Sequence, residues 1–157
     1  MKKKILFVCL GNICRSPTAQ GIFEHFIKNK NLEHKISVDS AGTSGWHKGS
    51  PPDRRSIEHA ANRGYDLTRQ KSRQIEFSDF FEFDLIIAMD KANYEDLKQV
   101  APREERHKIK LFLREYGDNK FIQEVPDPYH KGSDGFEEVL DLLESACLNL
   151  IEELERE

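Results

Sequence analysis

Ile5-Leu6-Phe7-Val8 is an unbroken apolar run near the start of the chain. Such a run reads as a strand covered on both faces, the kind that parallel sheets contain. It stops at Cys9, and Leu10-Gly11-Asn12-Ile13-Cys14-Arg15 leads into Ser16-Pro17. Ser16 reads as a helix N-cap and Pro17 as the first helical residue. Ile22, Phe23, Phe26 and Ile27 then keep helical spacing to about residue 30. A strand buried on both faces that feeds directly into a helix points to βαβ units around a parallel sheet.

The rest of the chain repeats that alternation. Ile36–Ser40 reads as a second strand, 84–88 (DLIIA) as a third and 109–113 as a fourth. Helices are expected over 53–62, ending near Gly64, and over 92–100, ending before Pro102. Residues 41–55 form a Gly- and Pro-rich loop that carries the sole tryptophan, Trp46, and 117–135 form another loop. Phe136, Val139, Leu140, Leu143, Cys147, Leu150, Ile151 and Leu154 make one stripe on a last helix. Asp134 followed by Glu137 fits a capping box at its start. The expected fold is a small doubly wound α/β domain, four parallel strands with helices on both faces, spanning 1–157 as one domain.

Composition narrows the class. The 157 residues include ten Phe, four Tyr and one Trp, enough aromatic bulk for a core. Lys plus Arg is 24 and Asp plus Glu is 28, a net charge of −4 that argues against a general nucleic-acid binder. No apolar run approaches the roughly 18 residues of a membrane-spanning helix. Lys2-Lys3-Lys4 ahead of the first apolar run mimics a signal peptide, but the run is short and lacks a small-residue cleavage site. Three cysteines are too few and odd in number for a disulfide framework, so a reducing, cytoplasmic compartment is expected. The histidines lack HExxH or paired spacing and the cysteines lack CxxC, so no metal or other cofactor is expected. The mixed charge run 103–108 reads as a solvated turn.

The turn after the first strand carries the chemistry. Ligands of open parallel sheets sit beyond the carboxyl ends of the strands. There the amides of a tight loop and the positive end of a helix form a nest for an anion. Gly11 and Asn12 are residue types that tolerate left-handed backbone. Arg15 offers a planar fork for two phosphate oxygens. The same field favours the thiolate of a cysteine placed at Cys9, and a Ser16 hydroxyl could donate to its sulfur. A thiolate facing a bound phosphate is a nucleophile for phosphoryl transfer. Trp46 and Tyr129, aromatic residues in loops, could wall a cleft and stack on a phenyl ring.

The stretch 8–17 (VCLGNICRSP) closely resembles the active-site loop of low-molecular-weight protein tyrosine phosphatases. The resemblance continues in 38–43 (VDSAGT), 88–90 (AMD) and 127–129 (DPY), and spans nearly the whole chain. It implies that Cys9 is the nucleophile, Arg15 binds phosphate and Asp127 is the general acid and base. It further implies that Leu10, Gly11, Asn12, Ile13, Cys14 and Ser16 surround the phosphate, with Ser40 hydrogen-bonded behind them. The substrate implied is a tyrosine-phosphorylated protein and the product inorganic phosphate, with neither nucleic acid nor membrane as partner. A reversible Cys9–Cys14 disulfide is implied as well, making the enzyme redox-sensitive, whereas Cys147 belongs to a core stripe. Two positions depart from the family pattern. Gln70 stands where a histidine is usual, and His130 stands where a second tyrosine often follows Tyr129.

Three other readings compete. A thioredoxin-coupled arsenate reductase of similar fold needs a further cysteine pair, and only Cys147 remains here. A non-catalytic phosphate-binding module would be expected to lose the nucleophile or the acid. Phosphoarginine phosphatases share the loop but resemble one another in carrying threonine at the position of Ile13. An apolar wall there suits an aryl ring better than a guanidinium, which would lose solvation without gaining a partner.

Overall fold

The computed structural model describes residues 2–157. Strands β1 (Lys3–Cys9), β2 (Ile36–Gly42), β3 (Leu85–Ala88) and β4 (Ile109–Leu111) form one sheet in the order β2-β1-β3-β4. All three pairings are parallel. The chain leaves β1 toward β2 on one side and reaches β3 on the other, so the crevice at the carboxyl end of β1 is the switch point of the sheet.

β1 is central and its side chains alternate between two apolar layers. Ile5, Phe7 and Cys9 join a core with α1 (Arg15–Asn29) and α6 (Ser133–Arg156). Leu6 and Val8 face the opposite layer, which holds Phe80, Ile86, Leu97 and Leu111. Phe80 comes from α3 (Asp79–Glu82) and Leu97 from α4 (Lys91–Val100). This two-sided burial is why the strand lacks polar alternation. α2 (Arg54–Asn62) follows the long loop and is capped by Asp53, whose side chain accepts from the Arg55 amide. Among the described residues no helix is long and apolar enough to cross a membrane.

Several expectations needed correction. α1 starts at Arg15 with Cys14 as its N-cap residue and no side-chain cap bond, so Ser16 lies inside the first turn. Its hydroxyl turns instead to the Cys9 sulfur. α6 starts at Ser133, three residues ahead of the apolar stripe, and the Asp134–Glu137 capping box does not form. Glu137 is drawn instead to Arg63 and His59. β4 ends at Leu111, and Phe112 and Leu113 open a short helix, α5 (Phe112–Tyr116). Both are buried there, and a short apolar run has the same appearance in a buried strand or helix. α3 went unforeseen for the same reason of length. The charge run 103–108 forms a 3-10 helix with no buried residue, in keeping with a solvated turn.

Candidate active site

The loop from Cys9 to Cys14 is held from outside by its carbonyls. Cys9 O accepts from the Thr43 amide at 2.9 Å, Leu10 O from Ser44 at 2.9 Å and Ile13 O from Asp53 at 2.7 Å. Gly11 O accepts from the Ser72 hydroxyl at 2.9 Å. Cys14 O accepts from the Thr18 hydroxyl at 2.6 Å. The amides show the opposite pattern: among the described residues none of the N–H groups of residues 10–14 finds an acceptor. Backbone donors are seldom left without a partner. A row of them at a helix start, with their carbonyls tied outward, is an anion cradle.

Asn12 makes that turn possible. Its φ is 57°, in the left-handed region that asparagine tolerates. Its Nδ2 donates to Ser16 Oγ at 2.8 Å and to Ser40 Oγ at 3.0 Å, and its Oδ1 accepts from the Arg73 amide at 3.0 Å. Gly11 serves a different need from the one expected. Its φ is not positive; a Cβ there would lie 3.0 Å from the His47 ring. Gly42 is equally constrained, because a Cβ would lie 2.7 Å from Leu10 O.

Cys9 Sγ lies 3.1 Å from Ser16 Oγ. Since Asn12 already donates to that oxygen, the serine proton is shared between the sulfur and Ala41 O at 3.4 Å. Ser40 Oγ donates to Gln20 Oε1 at 2.7 Å. Gln70, where the family pattern has histidine, anchors this layer by donating from Nε2 to Pro17 O at 2.9 Å. Asn12, Ser16 and Ser40 thus lie behind the loop and shape it rather than lining the cleft.

The Arg15 side chain is only 4% exposed. Its Nη1 donates to Asp90 Oδ2 at 2.7 Å and to Val125 O at 3.0 Å. Burial alone would lower its pKa, but attraction to the Cys9 sulfur and the bond to Asp90 outweigh burial and raise it. One edge of the guanidinium is thereby fixed, leaving the other for an anion. Asp90 also caps α4, accepting from the Asn93 amide at 2.8 Å. Asp127 Oδ2 stands 3.9 Å from Arg15 Nη2, on a side chain 48% exposed. The Cys14 thiol is pushed up to about 12, chiefly by burial and then by nearby Asp53, against a lowering bond from Ser56.

A cleft of about 220 Å³ is lined by Cys9, Leu10, Gly11, Ile13, Cys14, Arg15, Trp46, Asp127 and Tyr129. His47 and His130 line it too and were not singled out from the sequence as site residues. Trp46 is 80% exposed at the rim rather than folded onto its own loop. Larger hollows of about 700 Å³ exist, but Cys9, Arg15 and Asp127 lie in neither. Asp90 was likewise not given a role from the sequence, although 88–90 (AMD), just past the third buried strand, is part of the family resemblance. Among the described residues no three His, Cys, Asp or Glu side chains converge as metal ligands would.

A parallel α/β sheet whose central strand ends in an inward-facing amide loop, with a cysteine at its floor and an arginine at its wall, defines a phosphate-binding-loop protein. The model of the low molecular weight phosphotyrosine protein phosphatase family matches residues 4–157. The chain belongs to that family, whose members are hydrolases. A putative low molecular weight protein-tyrosine-phosphatase of Synechocystis is 48% identical, covering 98% of this chain and 98% of that protein. A crystal structure of a protein tyrosine phosphatase from Entamoeba histolytica is 43% identical with a TM-score of 0.94, covering 99% of this chain and 98% of that one. A Drosophila arginine phosphatase is 33% identical with a TM-score of 0.90, covering 99% of this chain and 98% of that one.

Proposed function

We propose that this chain hydrolyses phosphotyrosine in proteins through a phosphocysteine on Cys9, acting in the cytoplasm as one domain over residues 1–157. The observation that carries the reading is the set of unpartnered amides of residues 10–14 curled beside the Cys9 sulfur and the half-satisfied Arg15 fork. Three equatorial phosphate oxygens would take those donors. The thiolate attacks phosphorus while the bond from phosphorus to the tyrosine oxygen breaks. Asp127, as the carboxylic acid, gives its proton to the departing phenolate. A water then attacks phosphorus and passes a proton to the Asp127 carboxylate, the P–S bond breaks, and inorganic phosphate and the thiolate are released. Charge stabilisation and positioning supply most of the acceleration, because the transition state is loose. General acid catalysis adds about 10²–10⁴.

Ile13, Trp46 and Tyr129 give the cleft an apolar wall suited to an aryl ring. The likeness to the Drosophila arginine phosphatase favours a second reading, phosphoarginine, which the polar rim of His47 and His130 would have to serve. The test of the first reading is Cys9→Ser with 4-nitrophenyl phosphate. Turnover disappears while vanadate still binds, and acid quenching traps a phosphoenzyme in the wild type alone. Arg15→Lys is severely impaired as well, since an ammonium cannot replace a bidentate fork. Turnover of Cys9→Ser within tenfold of wild type would refute the nucleophile.

A further inference from the structure

Asp127 sits in the segment between β4 and α6, and its side chain is half exposed. A loop at the surface needs something to hold it over the cleft. Within the loop the Tyr129 amide donates to Asp127 Oδ1 at 3.1 Å and the Lys131 amide to Pro128 O at 2.9 Å. Ahead of Asp127 the segment is tied at Val125, whose amide donates to Met89 O and whose carbonyl accepts from Arg15. Beyond Asp127 the restraint comes from α2. Arg55 Nη2 donates to the Tyr129 carbonyl at 2.9 Å, across 74 positions of sequence. The same guanidinium lies 5.4 Å from the Tyr129 ring centroid and 4.8 Å from that of Phe136, at the start of α6. It therefore grips the loop at both Tyr129 and the helix that follows it.

The same edge of the guanidinium, Nε and Nη2, is also tied to Asp53, which is bonded to the phosphate loop. Arg55 Nε donates to Asp53 Oδ1 at 3.1 Å and Nη2 to Asp53 Oδ2 at 3.0 Å. Asp53 in turn caps α2 through the Arg55 amide at 2.8 Å and donates its own amide to Ile13 O. The chain of contacts runs Ile13, Asp53, Arg55, Tyr129, Asp127. We propose that Arg55 is a positioning residue that fixes the Asp127 carboxyl relative to the phosphate cradle. The proposal rests on Asp127 being the general acid. Arg55 does not line the cleft, so it acts through Asp127 and not on the phosphate. A planar fork suits this role, because it can hold a carboxylate, a carbonyl and a ring face together, which a lysine ammonium cannot.

The test compares wild type, Asp127→Asn, Arg55→Met, Arg55→Lys and the Asp127→Asn/Arg55→Met pair on aryl phosphates of graded leaving-group pKa. Phenyl phosphate needs the proton; 4-nitrophenyl phosphate needs it far less. Arg55→Met is expected to lose about tenfold or more in kcat/KM on phenyl phosphate and less than threefold on 4-nitrophenyl phosphate. Its vanadate affinity stays within about twofold of wild type, as expected if the phosphate loop is intact. Arg55→Lys recovers part of the loss. On the Asp127→Asn background Arg55→Met steepens the slope no further, because no acid remains to be placed. A steepened slope in Asp127→Asn with an unchanged one in Arg55→Met overturns the proposal and leaves the acid intact. So does an equal loss on all substrates. An unchanged slope in Asp127→Asn itself removes the acid and this role with it. Should Arg55→Met not fold, Asp53→Asn frees the fork from its anchor and is held to the same slopes.

Discussion

Replacing Asp90 separates what the Arg15 partner does for stability from what it does for turnover. In Asp90→Asn the Oδ1 contact to the Asn93 amide is retained, because asparagine caps helices as well as aspartate does. What is lost is both the negative charge and the acceptor 2.7 Å from a buried guanidinium, because the asparagine Nδ2, itself a donor, takes the place of Oδ2. A hydrogen bond to a charged group contributes about 1.5–3 kcal/mol. Asp90 is 21% exposed, which places the loss toward the lower half, about 1.5–2 kcal/mol. For a domain of this size that is a fall of roughly 3–8 °C in Tm. Asp90→Ala adds about 1 kcal/mol for the missing cap. Without its anchor Arg15 has Val125 O as its remaining protein acceptor, and the fork is free to rotate away from the phosphate. A loss of at least about tenfold in kcat/KM follows, roughly 1.4 kcal/mol of transition-state binding. Urea unfolding and 4-nitrophenyl phosphate kinetics measure the two effects. A fixed excess of vanadate stabilises the variant against urea less than the wild type, because the unanchored fork binds it more weakly. An Asp90→Asn protein within twofold of wild-type kcat/KM and within about 0.5 kcal/mol in stability would refute the assigned role.

Mild peroxide is expected to convert Cys9 to its sulfenic acid, with Cys14 then displacing water to form a disulfide that thiol reductants reverse. Because the Cys14 thiol is pushed up to about 12, closure quickens about tenfold per pH unit as its thiolate fraction grows. In Cys14→Ser the irreversibly lost fraction rises, and mass spectrometry showing no Cys9–Cys14 bond in oxidised wild type would count against the scheme. The Arg63 hydrogen bond, then that of His59, holds the Glu137 carboxyl below its ordinary pKa. Its contribution to stability is therefore present above the unfolded value and lost as pH falls through the folded one. The stability gap between wild type and Glu137→Gln should close as pH falls below 4.5, the ordinary glutamate value; a constant gap would show that the charge contributes nothing. A preference for phosphotyrosine over phosphoarginine of at least about tenfold in kcat/KM is expected, and Ile13→Thr is expected to narrow it. Equal or better phosphoarginine turnover by the unaltered chain would favour the second reading.

The strand and loop over residues 5–14 were legible in the sequence because they are contiguous and short-range sterics decide them, whereas the helix begins at Arg15, ahead of the expected Ser16 cap. The unbroken apolar run marked a strand covered on both faces, and the sheet order confirms a doubly wound fold. Asn12 was read as a left-handed position and adopts one. The long stripe of α6 was equally plain, since its burial repeats at every turn. Where burial alone governs a short segment, as at Phe112 and Leu113, the residue types did not separate strand from helix. Cap assignments failed where a tertiary partner outcompeted the local one: Ser16 went to the Cys9 sulfur and Glu137 to Arg63. Arg55 was invisible for the same reason, and Asp90 was legible as part of 88–90 (AMD) but not as the partner of Arg15. Each is an ordinary helix-start residue until the fold brings it to a partner 75 or 74 positions away. Local sequence thus determined the anion loop and the cysteine at its floor, while the packing of β3, α2 and the Asp127 loop around it decided which groups meet Arg15 and Tyr129.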